Sequence, residues 1–324
     1  MAESVLWIGI LVVSIVVLVK SSDVFTETAQ EMGIFFGIPQ FIIGVTVVAL
    51  GTSLPELVSS IIAVVKGSSE IVPGNVVGSN VANVFLVLGF SAVVAGNIKV
   101  TFNLFRTDVP LFVSAAAFLV LSYWDKQFTL FEAIIALGIL GVYLAYAVKS
   151  GKVQEEAISE EALEEVQEAS NKKLMLKFIL LLPLSGVFIY LGAEYTVTSV
   201  IHLSEIFNIG SELIAVTVIA LGTSLPELAV GIQAARRGNP EIVIGNVLGS
   251  NIFNSLAVMG IPALIGTINV PSSLITGGLP FMVVATLLFF FFLQEKELNI
   301  WDGLVLLLFY VFFIGRMIFV PAIG

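Results

Sequence analysis

Residues 45–57 read VTVVALGTSLPEL, an apolar run that ends by crowding Gly51, Thr52, Ser53, Pro55 and Glu56 together. Residues 216–228 read VTVIALGTSLPEL, the same string with Val48 replaced by Ile219. A second string, GSSEIVPGNVVGSNVAN at 67–83, returns as GNPEIVIGNVLGSNIFN at 238–254. The offset is 171 residues in both cases, so Glu56 maps to Glu227, and Asp23 lands on Glu194. A constant offset between motifs means that each half of the chain is one copy of the same unit.

Composition sets the medium in which that unit works. The chain of 324 residues is 58% hydrophobic and 12% charged, with a mean hydropathy of +1.06. A soluble domain carries about 25% charged residues, so this is an integral membrane protein whose first partner is the lipid bilayer. The net charge of −10 gives no reason to expect a nucleic-acid partner, and no feature calls for an obligatory protein partner. With no cysteine, disulfide and thiol chemistry are excluded. Residues 5–19 resemble the core of a signal peptide but lack a basic flank and a small-residue cleavage site, so they read as a retained first helix.

Apolar runs of about 20 residues mark spanning helices. Ten are expected, near 4–30, 35–65, 71–96, 105–124, 128–149, 173–198, 208–235, 240–266, 272–293 and 298–321. No polar–apolar alternation of the β-barrel kind interrupts them. The expected fold is all-α and polytopic, with a five-helix repeat at 1–149, an acidic linker at 150–172 and a second repeat at 173–324. Five is odd, so the second copy enters the membrane from the opposite side, and the two are inverted repeats of the kind that build many secondary transporters. With the N-terminus outside, eleven of the fourteen Lys and Arg residues fall at cytoplasmic ends. That bias predicts both termini outside and the linker in the cytoplasm; the expected location is the cell membrane. The glutamate-rich linker reads as a hydrophilic connector.

The repeated motif has a physical purpose. Pro55 lacks an N–H and its ring clashes with the carbonyl four residues back, that of Gly51, itself a weak helix former. Together they predict an unwound turn at Gly51–Leu54, with Gly222 and Pro226 acting alike in the second copy. Carbonyls freed there must face a cavity or a ligand rather than lipid. Thr52 and Ser53 add hydroxyls and Glu56 a carboxylate, an all-oxygen set suited to a hard cation such as Ca²⁺, with Na⁺ as competitor. The second string puts Ser79 and Asn83 on one helix face with Asn75 a turn back; its copy supplies Asn246, Ser250 and Asn254. Gly74 with Gly78, and Gly245 with Gly249, form G-x-x-x-G pairs that let helices approach closely. Facing repeats would bring Glu56 and Glu227 together near mid-membrane, where each ionised acid costs at least ~2.5–3.5 kcal/mol. Two such acids need a cation or a proton between them, so the ions must take turns, which favours obligatory exchange over uniport. An intramembrane hydrolase at Ser53 or Ser224 is disfavoured: the one histidine, His202, is distant in sequence, and GTSLP lacks the second glycine of a nucleophile elbow. No enzymatic activity and no cofactor beyond the transported ions is expected.

GTSLPEL twice, each followed by GNVxGSNxxN, resembles the two α-repeats of the sodium/calcium exchanger family within the cation/calcium antiporter superfamily. The resemblance covers both halves. It implies ten helices, central ion sites and long first and sixth helices that slide to switch access. It also implies a ligand set: Thr52, Ser53, Glu56, Ser79 and Asn83 in the first repeat, Thr223, Ser224, Glu227, Ser250 and Asn254 in the second, and the carbonyls of Ala49 and Ala220. The implied activity is exchange of Na⁺ for Ca²⁺, with H⁺/Ca²⁺ exchange on the same fold as the alternative. Some family members carry an aspartate where this chain has Asn83 or Asn254, which argues against potassium dependence here.

Overall fold

The structure, a computed structural model, describes residues 2–35, 49–99, 108–154, 171–236, 238 and 240–319. Most of the linker 150–172, the start of the expected second and fourth helices, Arg106 and Arg237 lie outside the described residues. Regular structure is helical apart from four short strands among the described residues.

In chain order the helices are α1 (Ala2–Phe35), α2 (Ala49–Thr52), α3 (Leu54–Val65), α4 (Ile71–Ala82), α5 (Gly89–Ala95), α6 (Asp108–Ser122), α7 (Leu130–Gln154) and α8 (Asn171–Phe207). They continue with α9 (Ser211–Ile214), α10 (Ala220–Thr223), α11 (Leu225–Arg236), α12 (Pro240–Phe253), α13 (Met259–Ala263), α14 (Ser272–Glu295) and α15 (Ile300–Phe319). Three π-helical turns, Asn83–Leu88, Ala215–Ile219 and Asn254–Val258, join α4 to α5, α9 to α10 and α12 to α13. Six of these segments are long and apolar enough to cross a membrane, and a seventh is added if the bent pair Ser211–Thr223 and Leu225–Arg236 is one span. Leu54–Val65, Asp108–Ser122 and Leu130–Tyr146 are shorter apolar helices.

Burial separates a core from a rim. The apolar stretch within Ile71–Ala95 is 89% buried and that within Val243–Ala263 78%, against 28% for the stretch in α1 and 17% for that in α8. The two motif-bearing segments therefore form the centre, and the long helices lie against it. At a rise of 1.5 Å per residue, the 34 residues of α1 and the 37 of α8 exceed the ~30 Å hydrocarbon core.

The pairing of α1 with α8 is antiparallel along its length. Trp7 stacks on His202 with centroids 4.1 Å apart, Thr196 Oγ1 donates to Ser14 Oγ at 2.9 Å, and Lys177 pairs with Glu31 at 2.5 Å. At Gly192 an added Cβ would sit 2.8 Å from the Leu18 Cα, so glycine sets the approach of the two backbones. Pro183 lies inside α8, tolerated because spanning helices re-satisfy a freed carbonyl through their neighbours.

The strands have no counterpart in the sequence reading. β1 (Asn97–Lys99) pairs antiparallel with β4 (Glu297–Asn299), and β2 (Gln127–Phe128) with β3 (Ile268–Asn269). Past the motifs the repeat offset falls from 171 to 170, as Gly96 to Gly266 and Lys126 to Lys296 show. Each strand therefore pairs across the two halves. The same offset recovers matched helix starts: Thr129 N donates to Glu132 Oε2, and Asn299 N to Asp302 Oδ2, each at 2.9 Å. These carboxylates cap α7 and α15 reciprocally.

Candidate cation site

The site is built where α2 gives way to α3 and α10 to α11. Each junction is a single residue, Ser53 (φ −92°, ψ 8°) and Ser224 (φ −82°, ψ 5°). The helix resumes at once, because Leu57 N donates to Ser53 O at 3.1 Å and Leu228 N to Ser224 O at 3.0 Å. The break is thus narrower than the unwound turn expected from the sequence. It is still a bend, of 41° in the second copy. Pro55 and Pro226, with no N–H to give, leave the carbonyls of Gly51 and Gly222 without their usual donor. Those two glycines also admit α1: a Cβ on Gly51 would collide with the Thr26 side chain, and one on Gly222 would lie 2.7 Å from Ile15 Cγ2.

Glu56 and Glu227 occupy the first turns of α3 and α11 and are 0% and 1% exposed. Ser79 Oγ donates to Glu56 Oε1 at 3.3 Å, and Ser250 Oγ to Glu227 Oε1 at 3.4 Å. The other carboxylate oxygen, Oε2, is buried without a partner in both. The threonines cross over, Thr223 lying alongside Glu56 and Thr52 alongside Glu227. Thr223 Oγ1 also donates back to Ile219 O at 3.1 Å. Thr52 Oγ1, Ser53 Oγ and Ser224 Oγ are buried with no partner, as is the side chain of Asn75. Its counterpart Asn246 donates to the Glu227 backbone carbonyl at 3.0 Å. Ala49 and Ala220 open α2 and α10, immediately before the junctions.

Asn83 and Asn254 stand at the first positions of their π-helical turns, an irregularity common at functional sites. Asn83 Oδ1 and both polar atoms of Asn254 are buried and unpartnered. Two asparagines that the sequence alone does not single out join this layer. Asn83 Nδ2 donates to Asn251 Oδ1 at 2.9 Å, Asn251 Nδ2 to Asn80 O at 3.3 Å, and Asn80 Nδ2 to Ser255 Oγ at 2.9 Å. A signal was present, since the GSN triplet that contains Asn80 and Asn251 occurs in both copies.

The glycine pairs behave unequally. A Cβ on Gly74 would come within 2.7 Å of the Glu212 carbonyl, and one on Gly78 would strike the Val216 carbonyl and approach Ala220 Cβ to 2.5 Å. α4 therefore packs directly on the backbone of α9 and the π turn that follows it. At Gly245 an added Cβ meets nothing among the described residues. Gly249 is half-buried.

Among the described residues no three His, Cys, Asp or Glu side chains gather into a conventional metal centre. The site holds two carboxylates within neutral hydroxyl and amide oxygens. Buried polar groups in native proteins are nearly all satisfied, so this many orphaned oxygens in one layer marks a place for a hydrophilic guest.

A polytopic helical protein with an acidic, oxygen-lined centre sealed between two copies of one motif is the class that fold and site define. The chain belongs to the sodium/calcium exchanger family, of the prokaryotic type: the profile of that family, described as sodium/calcium exchanger protein, matches residues 6–149 and 177–319. It is 32% identical to the sodium/calcium exchanger MaX1 of Methanosarcina acetivorans, over 96% of this chain and 98% of that one. It is also 32% identical to the inner membrane protein YrbG of Escherichia coli, over 79% of each. Among solved structures it is similar to the sodium–calcium exchanger NCX_Mj soaked with 2.5 mM Na⁺ and 10 mM Sr²⁺, with a TM-score of 0.64 and 28% identity over 95% of this chain and 98% of that one. The family is one of transporters, and cation/calcium antiport is the activity that its relatives support.

Proposed function

We propose that the protein exchanges Na⁺ for Ca²⁺ by alternating access, with Glu56 and Glu227 as the carboxylates that both ions share. One observation carries the reading: two glutamates from equivalent helix starts lie fully buried in the helical core, each with an unpartnered Oε2. A single Ca²⁺ cancels both charges, and sodium ions cancel them in turn. The ring of neutral oxygens from Thr52, Ser53, Thr223, Ser224, Ser79, Ser250, Asn83 and Asn254, with the Ala49 and Ala220 carbonyls, supplies the further ligands that Na⁺ and Ca²⁺ require and a proton does not.

Alternation needs two faces, and three structural features support an inverted ten-helix architecture. Counting the bent pair and the three shorter apolar helices as spans gives ten. The repeat-equivalent helices α1 and α8 run antiparallel. The equivalent helices α6 and α14 do so too, since β1 before α6 pairs with β4 after α14, and β2 after α6 pairs with β3 before α14. Inversion lets one unit open to either side by exchanging the roles of its copies. The excess of basic residues at one set of helix ends supports termini outside and linker 150–172 in the cytoplasm, and the cell membrane is the proposed location.

The H⁺/Ca²⁺ alternative differs only in the counter-ion. Proteoliposomes given an outward Na⁺ gradient at equal pH are expected to take up ⁴⁵Ca²⁺. Those given a pH gradient without sodium are expected to take up none. Uptake driven by the pH gradient alone would reverse the assignment.

A further inference from the structure

The two asparagine pairs in the central layer are equivalent in sequence and unequal in geometry. Asn80 corresponds to Asn251 and Asn83 to Asn254, at the offset of 171. Asn83 Nδ2 donates to Asn251 Oδ1 at 2.9 Å. The mirror contact, Asn254 Nδ2 to Asn80 Oδ1, is not made, and both of those atoms are buried without a partner. Asn80 instead donates to Ser255 Oγ at 2.9 Å, with a longer approach to Met282 Sδ at 3.7 Å. The residue equivalent to Ser255 in the first copy is Val84, which has no acceptor to offer Asn251. Val84 and Ser255 are both buried, 0% and 2% exposed.

The consequences run outward from that one substitution. With its nitrogen engaged by Asn251, Asn83 presents Oδ1 as a fixed acceptor. An amide so held offers a cation its oxygen and withholds its donor. Asn254 has no such restraint and remains free to turn either end of its amide toward the site. We propose that Ser255 is a positioning residue: by holding the Asn80 amide it withholds the clamp from Asn254 and makes the two asparagine ligand positions of the cation site inequivalent. The proposal rests on the reading of that site as the ion-exchange centre. It specifies one rigid and one adjustable amide, so that the adjustable one can accommodate ions that differ in charge and in the oxygens they demand.

Valine and threonine at position 255 have nearly the same shape and differ in the hydroxyl, so their comparison removes the packing change. In Ser255→Thr the acceptor for Asn80 is kept. In Ser255→Val the Asn80 amide is released, Asn80 Oδ1 becomes available to Asn254 Nδ2, and the second copy acquires the clamp of the first. A pre-oriented ligand binds more tightly because its ordering cost is already met. The expected result, from sodium-driven ⁴⁵Ca²⁺ uptake in proteoliposomes, is a calcium KM about threefold to tenfold lower for the valine variant than for the threonine variant, the range of one neutral hydrogen bond. Maximal rates should agree within about twofold. An equal or higher KM for the valine variant, or a loss confined to maximal rate, overturns the proposal. Failure of the site reading itself would look different: Glu56→Gln, run in parallel, would then transport as the wild type does.

Discussion

Ser79 and Ser250 each donate a hydrogen bond to one of the two central carboxylates, at 3.3 and 3.4 Å. A hydrogen bond to a charged group contributes about 1.5–3 kcal/mol. If the same hydroxyls turn their oxygens to a bound cation, Ser79→Ala and Ser250→Ala should each raise the calcium KM by about tenfold or more, with maximal rate less affected. Ser185→Ala, whose hydroxyl bonds only to carbonyls of its own helix, should leave the KM unchanged. Measured KM values that are equal across the three variants would remove the serines from the site. At this scale much was legible. Glu56, Ser79 and their copies stood out because lipid penalises every polar side chain in an apolar run, and both copies carry these at the same places. Asn80 and Asn251 did not stand out, for a physical reason: each sits at the edge of the Ser79–Asn83 face or its copy, and only the packing of α4 on α12 shows that their amides reach the neighbouring half. The inequality of Val84 and Ser255 is plain in the sequence and carries no weight until the hydrogen bonds give it a consequence.

The elements were less evenly legible. The long apolar helices were expected close to where they fall, because hydropathy reports burial in lipid directly. The junctions at Ser53 and Ser224 were expected as an unwound turn and are single residues, since the proline removes one hydrogen bond and the ladder is re-formed two residues on, by Leu57 N to Ser53 O. The glycines beside them read as helix breakers and also admit α1 at close range. The strands could not be foreseen: two or three residues carry no periodicity, and their partners are about 140 to 200 positions away. Yet they carry the sharpest statement about sidedness, because β1 with β4 and β2 with β3 must sit at opposite ends of α14, whose 24 residues span about 36 Å. The chain has no cysteine, so single thiols report cleanly. Asp125→Cys, just before β2, should react with an impermeant maleimide in intact cells, and Glu295→Cys, just before β4, only after permeabilisation. Labelling of both from the same side would refute the inverted arrangement.

At the scale of the whole molecule, the duplication turns a kinked helix into a transport device. One copy alone would bury an unpaired carboxylate, at a cost that the membrane interior makes large. In the proposed exchange two facing copies would share that cost with an entering cation, while α1 and α8 stay mostly exposed along their length. On the proposed mechanism both carboxylates are required for the charge balance, since one glutamate would leave a divalent ion half-compensated. The most direct measurement is ⁴⁵Ca²⁺ uptake into sodium-loaded proteoliposomes containing the wild type, Glu56→Gln or Glu227→Gln, with folding checked by a monodisperse elution profile. Both variants should fall to the level of protein-free vesicles while the wild type transports; uptake by either at the wild-type rate would contradict the paired-carboxylate site.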